Sequence, residues 1–224
     1  LDGAVDATLT TGSSNGVDRG ARYVARCGQA VKAAAGLPVE VQFEPPRDLD
    51  VIDEVADLGI DSVGIHVESF DPAVLAHIAP AKARTGIEWY FQAWERAVAR
   101  FGAGQVSTYV ILGMGEDPEL TVQGCRRAVD LGVFPFVVPL RPVAGSLMAE
   151  VLPPGREYAE RIYRQVARYM SERGLDLIAP KAGCARCQAC SGLNGVQRTL
   201  QIGRRPSADE ESTDAGWSET GCSL

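Results

Sequence analysis

Apolar residues recur along the chain in two patterns, short β-branched runs and longer stretches with helical spacing. The runs predict five strands, at Ala4–Thr11, Val39–Phe43, Asp61–Ser69, Val106–Leu112 and Val133–Leu140. The clearest helical stretch is Ile87–Phe101, whose aromatic and aliphatic side chains share one stripe. A Lys/Arg-containing loop is expected at Ala81–Gly86. Strands alternating with helices predict a parallel sheet of right-handed βα units.

Polar side chains lie at the ends of several predicted strands. His66 and Glu68 end the strand Asp61–Ser69, and residues two apart in a strand face the same side, so we expect their side chains to project together. Glu44 follows the second strand and Arg141 the last. Such residues at every strand end favour a partial barrel over a doubly wound sheet. The spacing of His66 and Glu68 is equally compatible with hydrogen bonds to the backbone at a barrel rim.

The composition restricts the classes of partner. The chain has 224 residues, 46% of them hydrophobic, and a formal net charge of −7. An acidic chain without a basic stripe is not expected to bind nucleic acid or an acidic membrane surface, so a small-molecule substrate is expected. No apolar run has the length needed to cross a bilayer. We expect a cytoplasmic protein.

Three cysteines form the most specific motif in the chain. Cys184, Cys187 and Cys190 are spaced as CxxCxxC, and three thiolates at this spacing can surround one metal centre. An iron–sulfur cluster, a zinc site and inert or redox-active thiols all remain possible, although no nearby residue offers a fourth zinc ligand. Clustered thiols in a cytosolic chain favour metal over disulfides.

The composition also predicts three segments. Residues 1–178 carry the alternating strands and helices, residues 179–203 are rich in cysteine and contain the CxxCxxC motif, and residues 204–224 are polar and acidic. The last segment has too few apolar residues to offset the entropy of ordering, so we expect it to be disordered.

In sequence order, the strand-end motifs LTTGSS, GIHVES and STYVILGMGED resemble the radical SAM superfamily. The resemblance is to the branch that contains biotin synthase and lipoyl synthase, and further to an uncharacterised bacterial branch associated with nitrilase gene clusters. It implies a partial (β/α)6 TIM-like barrel that lacks its first strand, and it implies S-adenosylmethionine as a cofactor.

The resemblance also implies which residues contact S-adenosylmethionine. Gly12, Ser13 and Ser14 would contact the methionyl amino group, and His66 and Glu68 would bind the ribose. The adenine would lie along Ile111, Gly113, Met114, Val138 and Leu140, and Arg84 would meet a carboxylate. Glu44 and Arg141 are candidates for binding the substrate, and an arginine such as Arg141 can clamp a carboxylate.

The implied chemistry is reductive cleavage of S-adenosylmethionine at a [4Fe–4S] cluster. The resulting 5′-deoxyadenosyl radical would abstract hydrogen from an unknown small substrate, with electrons from a donor such as ferredoxin or flavodoxin. The CxxxCxxC motif that holds this cluster in the superfamily is absent from the 224 residues. We expect it to precede Leu1 in an amino-terminally truncated chain, which would be inactive alone. The CxxCxxC motif resembles an auxiliary iron–sulfur site.

Two other functions are compatible with the residues. A partial-barrel aldolase or isomerase would use Glu44, His66 and Glu68 as acid and base. A non-catalytic metal-binding module would use the CxxCxxC motif to staple a scaffold, and its strand ends would have no chemical role.

Overall fold

The computed structural model describes residues 3–12, 14 and 16–202. These residues contain one five-stranded sheet in the order β1-β2-β3-β4-β5, with all strands parallel. The strands are β1 (Ala7–Thr10), β2 (Val39–Gln42), β3 (Ser62–Gly64), β4 (Val106–Leu112) and β5 (Val133–Pro139). Sequential order without a reversal is the topology of a barrel sheet, so the predicted α/β fold class is confirmed.

Helices connect successive strands and continue beyond the last one. They are α1 (Ala21–Ala35), α2 (Asp50–Asp57), α3 (Pro72–Ile78), α4 (Pro80–Thr85), α5 (Ile87–Phe101), α6 (Pro118–Asp130) and α7 (Arg156–Glu172), then a 3-10 turn (Leu175–Leu177), α8 (Cys184–Cys187) and α9 (Leu193–Ile202). None of the helices among the described residues is long and apolar enough to cross a membrane.

The longest strand pair and the aromatic helix α5 account for much of the core. Strands β4 and β5 pair in register from Val106 with Val133 to Leu112 with Pro139, as their apolar runs predict. The indole of Trp94 on α5 is fully buried and donates from Nε1 to the carbonyl of Ile65 at 3.0 Å. This bond fixes α5 against the segment that follows β3.

Strand β1 is shorter than predicted, with Ala7–Thr10 in place of Ala4–Thr11, and two other predicted elements differ more strongly from the structure. The strand expected over Asp61–Ser69 is regular only from Ser62 to Gly64, and beyond it a single bridge pairs Glu68 with Val110. The loop expected at Ala81–Gly86 is instead helix α4, which ends at Thr85. Pro80 at the first helical position fixes a helical φ, and tertiary packing against α5 outweighs the weak local signal of a six-residue helix.

One aspartate connects two of the connecting segments at the carboxyl edge of the sheet. Asp71 caps α3 by accepting from the backbone N–H of Ala73 at 2.8 Å, and it also accepts from that of Asp117 at 3.0 Å. The hydrogen bond from Asp117 is the main cause that lowers the pKa of Asp71. The start of α6 is thereby held beside the start of α3.

The cysteine-rich segment packs against the sheet. Ser191 Oγ donates to the carbonyl of Val137 on β5, and Asp6 accepts from the backbone N–H of Gly183 at 3.3 Å. The division into segments at residues 178 and 203 stays a prediction. The expected disordered tail, residues 204–224, lies outside the described residues, as does Ser13.

Candidate functional site

Lys82 lies at the centre of the polar cluster at the carboxyl ends of β2 and β3. Its ammonium is 2.8 Å from Oε1 of Glu44 and 3.1 Å from Oε1 of Glu68, and it also donates to the carbonyl of His66. The hydroxyl of Tyr90 donates to the other oxygen of Glu44 at 2.5 Å. One cation therefore joins two carboxylates from separate strand ends.

Glu68 is attached to β4 by its own backbone. Its N–H donates to the carbonyl of Tyr109 at 3.1 Å, and its carbonyl accepts from the N–H of Ile111 at 2.8 Å. Glu68 has φ 70°, a conformation that costs a residue with a Cβ about 1–2 kcal/mol. Regular strand ends at Gly64, and the backbone turns at Glu68. The two-residue alternation that predicts the same side for His66 and Glu68 therefore does not apply here.

His66 packs beside Gly64 of β3, with its ring edge-on to that of Tyr109 at 4.7 Å between centroids. Nδ1 accepts from the backbone N–H of Tyr109 at 3.2 Å, which leaves the proton on Nε2. Nε2 is buried and has no hydrogen-bond partner among the described residues. Burial, followed by the charge of Lys82, lowers the pKa of His66 from 6.5 to about 3, so the imidazole is neutral near pH 7.

This shift predicts a pH-dependent stability. Between pH 6.5 and 3 the unfolded chain binds a proton at His66 that the folded chain does not, so stability falls as the pH falls through this range. From pH 7 to pH 5, His66 should remove about 2 kcal/mol from the free energy of unfolding. Denaturant titrations should show this loss in the wild type and not in His66→Asn. The variant His77→Asn, at an exposed position on α3, should lose as much stability as the wild type. An equal change in the free energy of unfolding between pH 7 and pH 5 in all three proteins would contradict the assignment to His66.

The glycine turn after β4 is held by Glu116. The buried carboxylate accepts from the backbone N–H of Gly113 at 2.9 Å and of Met114 at 2.8 Å, and from the hydroxyl of Tyr158 at 2.6 Å. Gly113 has φ 97°, and a Cβ there would lie 2.7 Å from Pro154. Glycine is therefore required at Gly113 for both the turn and the close approach of the chain.

The other positions expected to contact the nucleoside lie on the same edge. Ile111 pairs with Val138 across β4 and β5, and Leu140 donates its N–H to the carbonyl of Leu112 at 2.8 Å. Val138 and Leu140 are buried, and Ile111 is half-buried. Gly12 and Ser14 follow β1 and are exposed.

Two arginines expected at the site lie apart from the Lys82 cluster. Arg84 is two positions from Lys82 on α4, which places the two side chains on different sides of the helix, and it lines a separate cavity with Arg19. Arg141 is exposed and has no ion-pair partner among the described residues. The expected roles of Arg84 and Arg141 in binding carboxylates stay predictions.

The three clustered cysteines have different surroundings. Cys184 Sγ accepts from the hydroxyl of Tyr109 at 3.0 Å, and burial raises the pKa of this thiol, whereas Cys187 and Cys190 are exposed. Within residues 3–12, 14 and 16–202, no group of three or more His, Cys, Asp or Glu is placed to hold a metal ion. The arrangement of the three thiols in this structure thus does not fit an auxiliary cluster, and we derive no step through one. Metal binding by this motif stays a prediction.

The residues at the strand ends do fit the nucleoside of S-adenosylmethionine. Glu68 offers an acceptor-only carboxylate, His66 offers a buried N–H without a partner, and Gly115 has no heavy atom within 4 Å of an added Cβ. These features provide an acceptor for ribose hydroxyls, a donor, and open space beside a glycine turn. The main [4Fe–4S] cluster has no corresponding CxxxCxxC ligands in this chain.

Sequence reasoning missed Lys82 and Tyr90 as parts of the site. By sequence, Lys82 falls only within the expected loop at Ala81–Gly86, and Tyr90 only within the apolar stripe of α5. A helix over AKART places Lys82 and Arg84 on different sides. The carboxylate partners of Lys82, however, lie 14 and 38 positions away in the chain. No local pattern identifies such partners.

Comparison with known proteins agrees with the resemblance to the radical SAM superfamily. Bacteriochlorophyllide c C-7(1)-hydroxylase from Chlorobaculum limnaeum is 28% identical over 133 residues, which cover 58% of this chain and 33% of that protein. Methylornithine synthase (PylB) matches with TM-score 0.53 and 18% identity over 92% of this chain and 70% of its own. The FeFe-hydrogenase maturase HydG from Carboxydothermus hydrogenoformans matches with TM-score 0.54 and 18% identity over 75% and 41%. No protein-family model matches the chain.

These likenesses confirm the partial-barrel fold and the resemblance to the radical SAM superfamily. The two solved structures are radical SAM enzymes with barrel-like folds, and the curated relative is of the same superfamily. The chain spans about a third of the length of that curated relative. Placement within the biotin synthase and lipoyl synthase branch stays a prediction.

Proposed function

We propose that this chain is the S-adenosylmethionine-binding part of a radical SAM enzyme that acts on a small molecule. The observation that carries the proposal is the backbone pairing of Glu68 with β4, through Tyr109 and Ile111. This pairing brings a ribose acceptor and the Gly113 turn to neighbouring positions on one edge of the sheet, as one nucleoside requires.

Each side chain then has a defined role. Glu68 accepts hydrogen bonds from the ribose hydroxyls, and His66 donates from Nε2 while Tyr109 fixes its tautomer. Lys82 moves from Glu68 towards Glu44 as the ribose arrives, because it already contacts both carboxylates. Glu116 holds the Gly113–Gly115 backbone in shape for adenine, with Val138 and Leu140 as apolar walls.

Bound S-adenosylmethionine would supply hydrogen-atom abstraction from an unactivated C–H bond after reduction by one electron. The residues of this chain contribute orientation of the nucleoside and exclusion of water. We propose a cytoplasmic protein with a small-molecule substrate and an electron donor such as ferredoxin or flavodoxin. Because the 224 residues contain no CxxxCxxC, we expect no reductive cleavage by this chain alone.

The test is binding of S-adenosylhomocysteine, which carries the nucleoside and needs no cluster. In calorimetric titrations, we expect one site per chain and a loss of affinity of about tenfold or more for Glu68→Gln, since hydrogen bonds to a charged acceptor contribute about 1.5–3 kcal/mol. Glu95→Gln removes an equal charge at an exposed position on α5 and should bind like the wild type. Absence of binding, or an equal loss of affinity in both variants, would contradict the proposal.

A further inference from the structure

Three arginines from three separate connections line one cavity at the carboxyl edge of the sheet. Arg19 follows β1, Arg47 follows β2 and Arg84 lies on α4. The cavity has a volume of about 510 Å³, and Trp89 forms part of its wall. No acidic residue of the described part of the chain lines this cavity, so three arginines give it a positive lining on a chain whose net charge is −7.

The walls of this cavity are fixed by hydrogen bonds that do not involve the guanidinium groups. The backbone N–H of Arg47 donates to the carbonyl of Val17 at 2.8 Å, which joins the connections after β1 and β2. Trp89 Nε1 donates to the carbonyl of Pro46 at 2.9 Å, which joins the second connection to α5. These hydrogen bonds therefore hold the segments around the arginines together.

These arginines lack the carboxylate partners that several other described arginines have. On the outer helices, Arg22, Arg96 and Arg127 each pair with a carboxylate. Among the described residues, no carboxylate oxygen lies within 4.0 Å of the guanidinium groups of Arg19, Arg47 or Arg84. Nε of Arg19 is buried without any hydrogen-bond partner there.

Arg47 and Arg84 are exposed to solvent, whereas Arg19 is half-buried and its Nε lacks an acceptor among the described residues, so a bound anion would stabilise Arg19 most. Like charges in one cavity repel each other, and a buried guanidinium N–H without an acceptor loses its hydration without compensation. A carboxylate or phosphate removes both costs, because its oxygens accept several guanidinium N–H bonds at once.

We propose that this cavity binds the carboxylate or phosphate group of an anionic small-molecule substrate. Ala81 lines the cavity and the next residue, Lys82, contacts Glu68, so helix α4 contributes residues both to this cavity and to the candidate nucleoside site. The identification of this ligand as the substrate rests on the proposed function, whereas anion binding itself does not. Arg84 in this inference serves the substrate and not S-adenosylmethionine.

The test uses inorganic phosphate and citrate as probes, titrated into the full chain by calorimetry at constant ionic strength. We expect at least one of them to bind at one site per chain, and the stronger of the two identifies the anionic group. Arg19→Gln and Arg47→Gln should each weaken this binding by about tenfold or more. Arg26→Gln, which removes an exposed arginine on α1, should change it less than twofold.

A second titration separates this inference from the proposed function. S-adenosylhomocysteine should bind with unchanged affinity when the bound anion is saturating, and also to Arg47→Gln. If neither anion binds, or if Arg26→Gln weakens binding as much as the cavity variants, the anion site is refuted. If the anion and S-adenosylhomocysteine exclude each other, the cavity holds the methionyl carboxylate and the substrate assignment is wrong.

Discussion

Replacing Lys82 with methionine is expected to lower the free energy of unfolding by about 2 kcal/mol. The substitution leaves the carboxylates of Glu44 and Glu68 without their shared cation. Breaking a fully buried ion pair costs about 3–5 kcal/mol, but the three side chains here keep 17 to 26% of their surface exposed, so water screens part of the loss. Denaturant titration at pH 7 measures the change.

The comparison variant for this experiment is Lys181→Met, which removes an exposed lysine. It should change stability by less than about 0.5 kcal/mol. Adding Glu44→Gln to Lys82→Met should restore part of the loss, because one unpaired charge is then removed. Equal costs for the two lysine variants would show that the cluster contributes nothing specific to Lys82.

Replacing Gly183 with alanine is expected to destabilise the cysteine-rich segment by about 2–4 kcal/mol. Gly183 has φ 87°, and an added Cβ would lie 2.1 Å from the carboxyl carbon of Glu40. Glu40 is buried and has a raised pKa because of that burial, and it accepts hydrogen bonds from Ser107 and from the backbone of Cys184. Little room exists for its carboxyl group to move.

Hydrogen exchange of the peptide 182–190 provides the measurement. Gly183→Ala should accelerate exchange at Cys184 and its neighbours, whereas peptides from β4 should keep their protection. Gly195→Ala is the matched control, because Gly195 is helical and has open space around its Cβ position; alanine there should be neutral or stabilising. Unchanged protection in Gly183→Ala would mean that the segment does not depend on this contact.

Periodicity determined much of the secondary structure without any tertiary information. Helix α5 has the bounds Ile87–Phe101 that its apolar stripe predicts, and β4 has the predicted bounds Val106–Leu112. Both elements are long relative to their class and bury one consistent set of side chains, so local pattern and packing agree. The parallel order of the sheet followed from the alternation of such elements.

Short elements were predicted less well. Strand β3 keeps only three residues, Ser62–Gly64, because the chain leaves regular pairing to place Glu68 beside Val110. Helix α4 forms where a loop was expected, because six residues carry too few periods for a reliable signal. In both places the tertiary contacts, and not local preference, decide the backbone.

The sequence by itself determined the class of fold, the order of the strand-end motifs and the positions of His66, Glu68 and the Gly113 turn. Only the tertiary structure decided which side chains meet. Lys82 joins Glu44 and Glu68, and the cavity collects Arg19, Arg47 and Arg84 from three connections. The physical reason is that periodicity reports which face of an element is buried, whereas contacts between distant residues depend on strand register and on the direction in which each connection leaves the sheet.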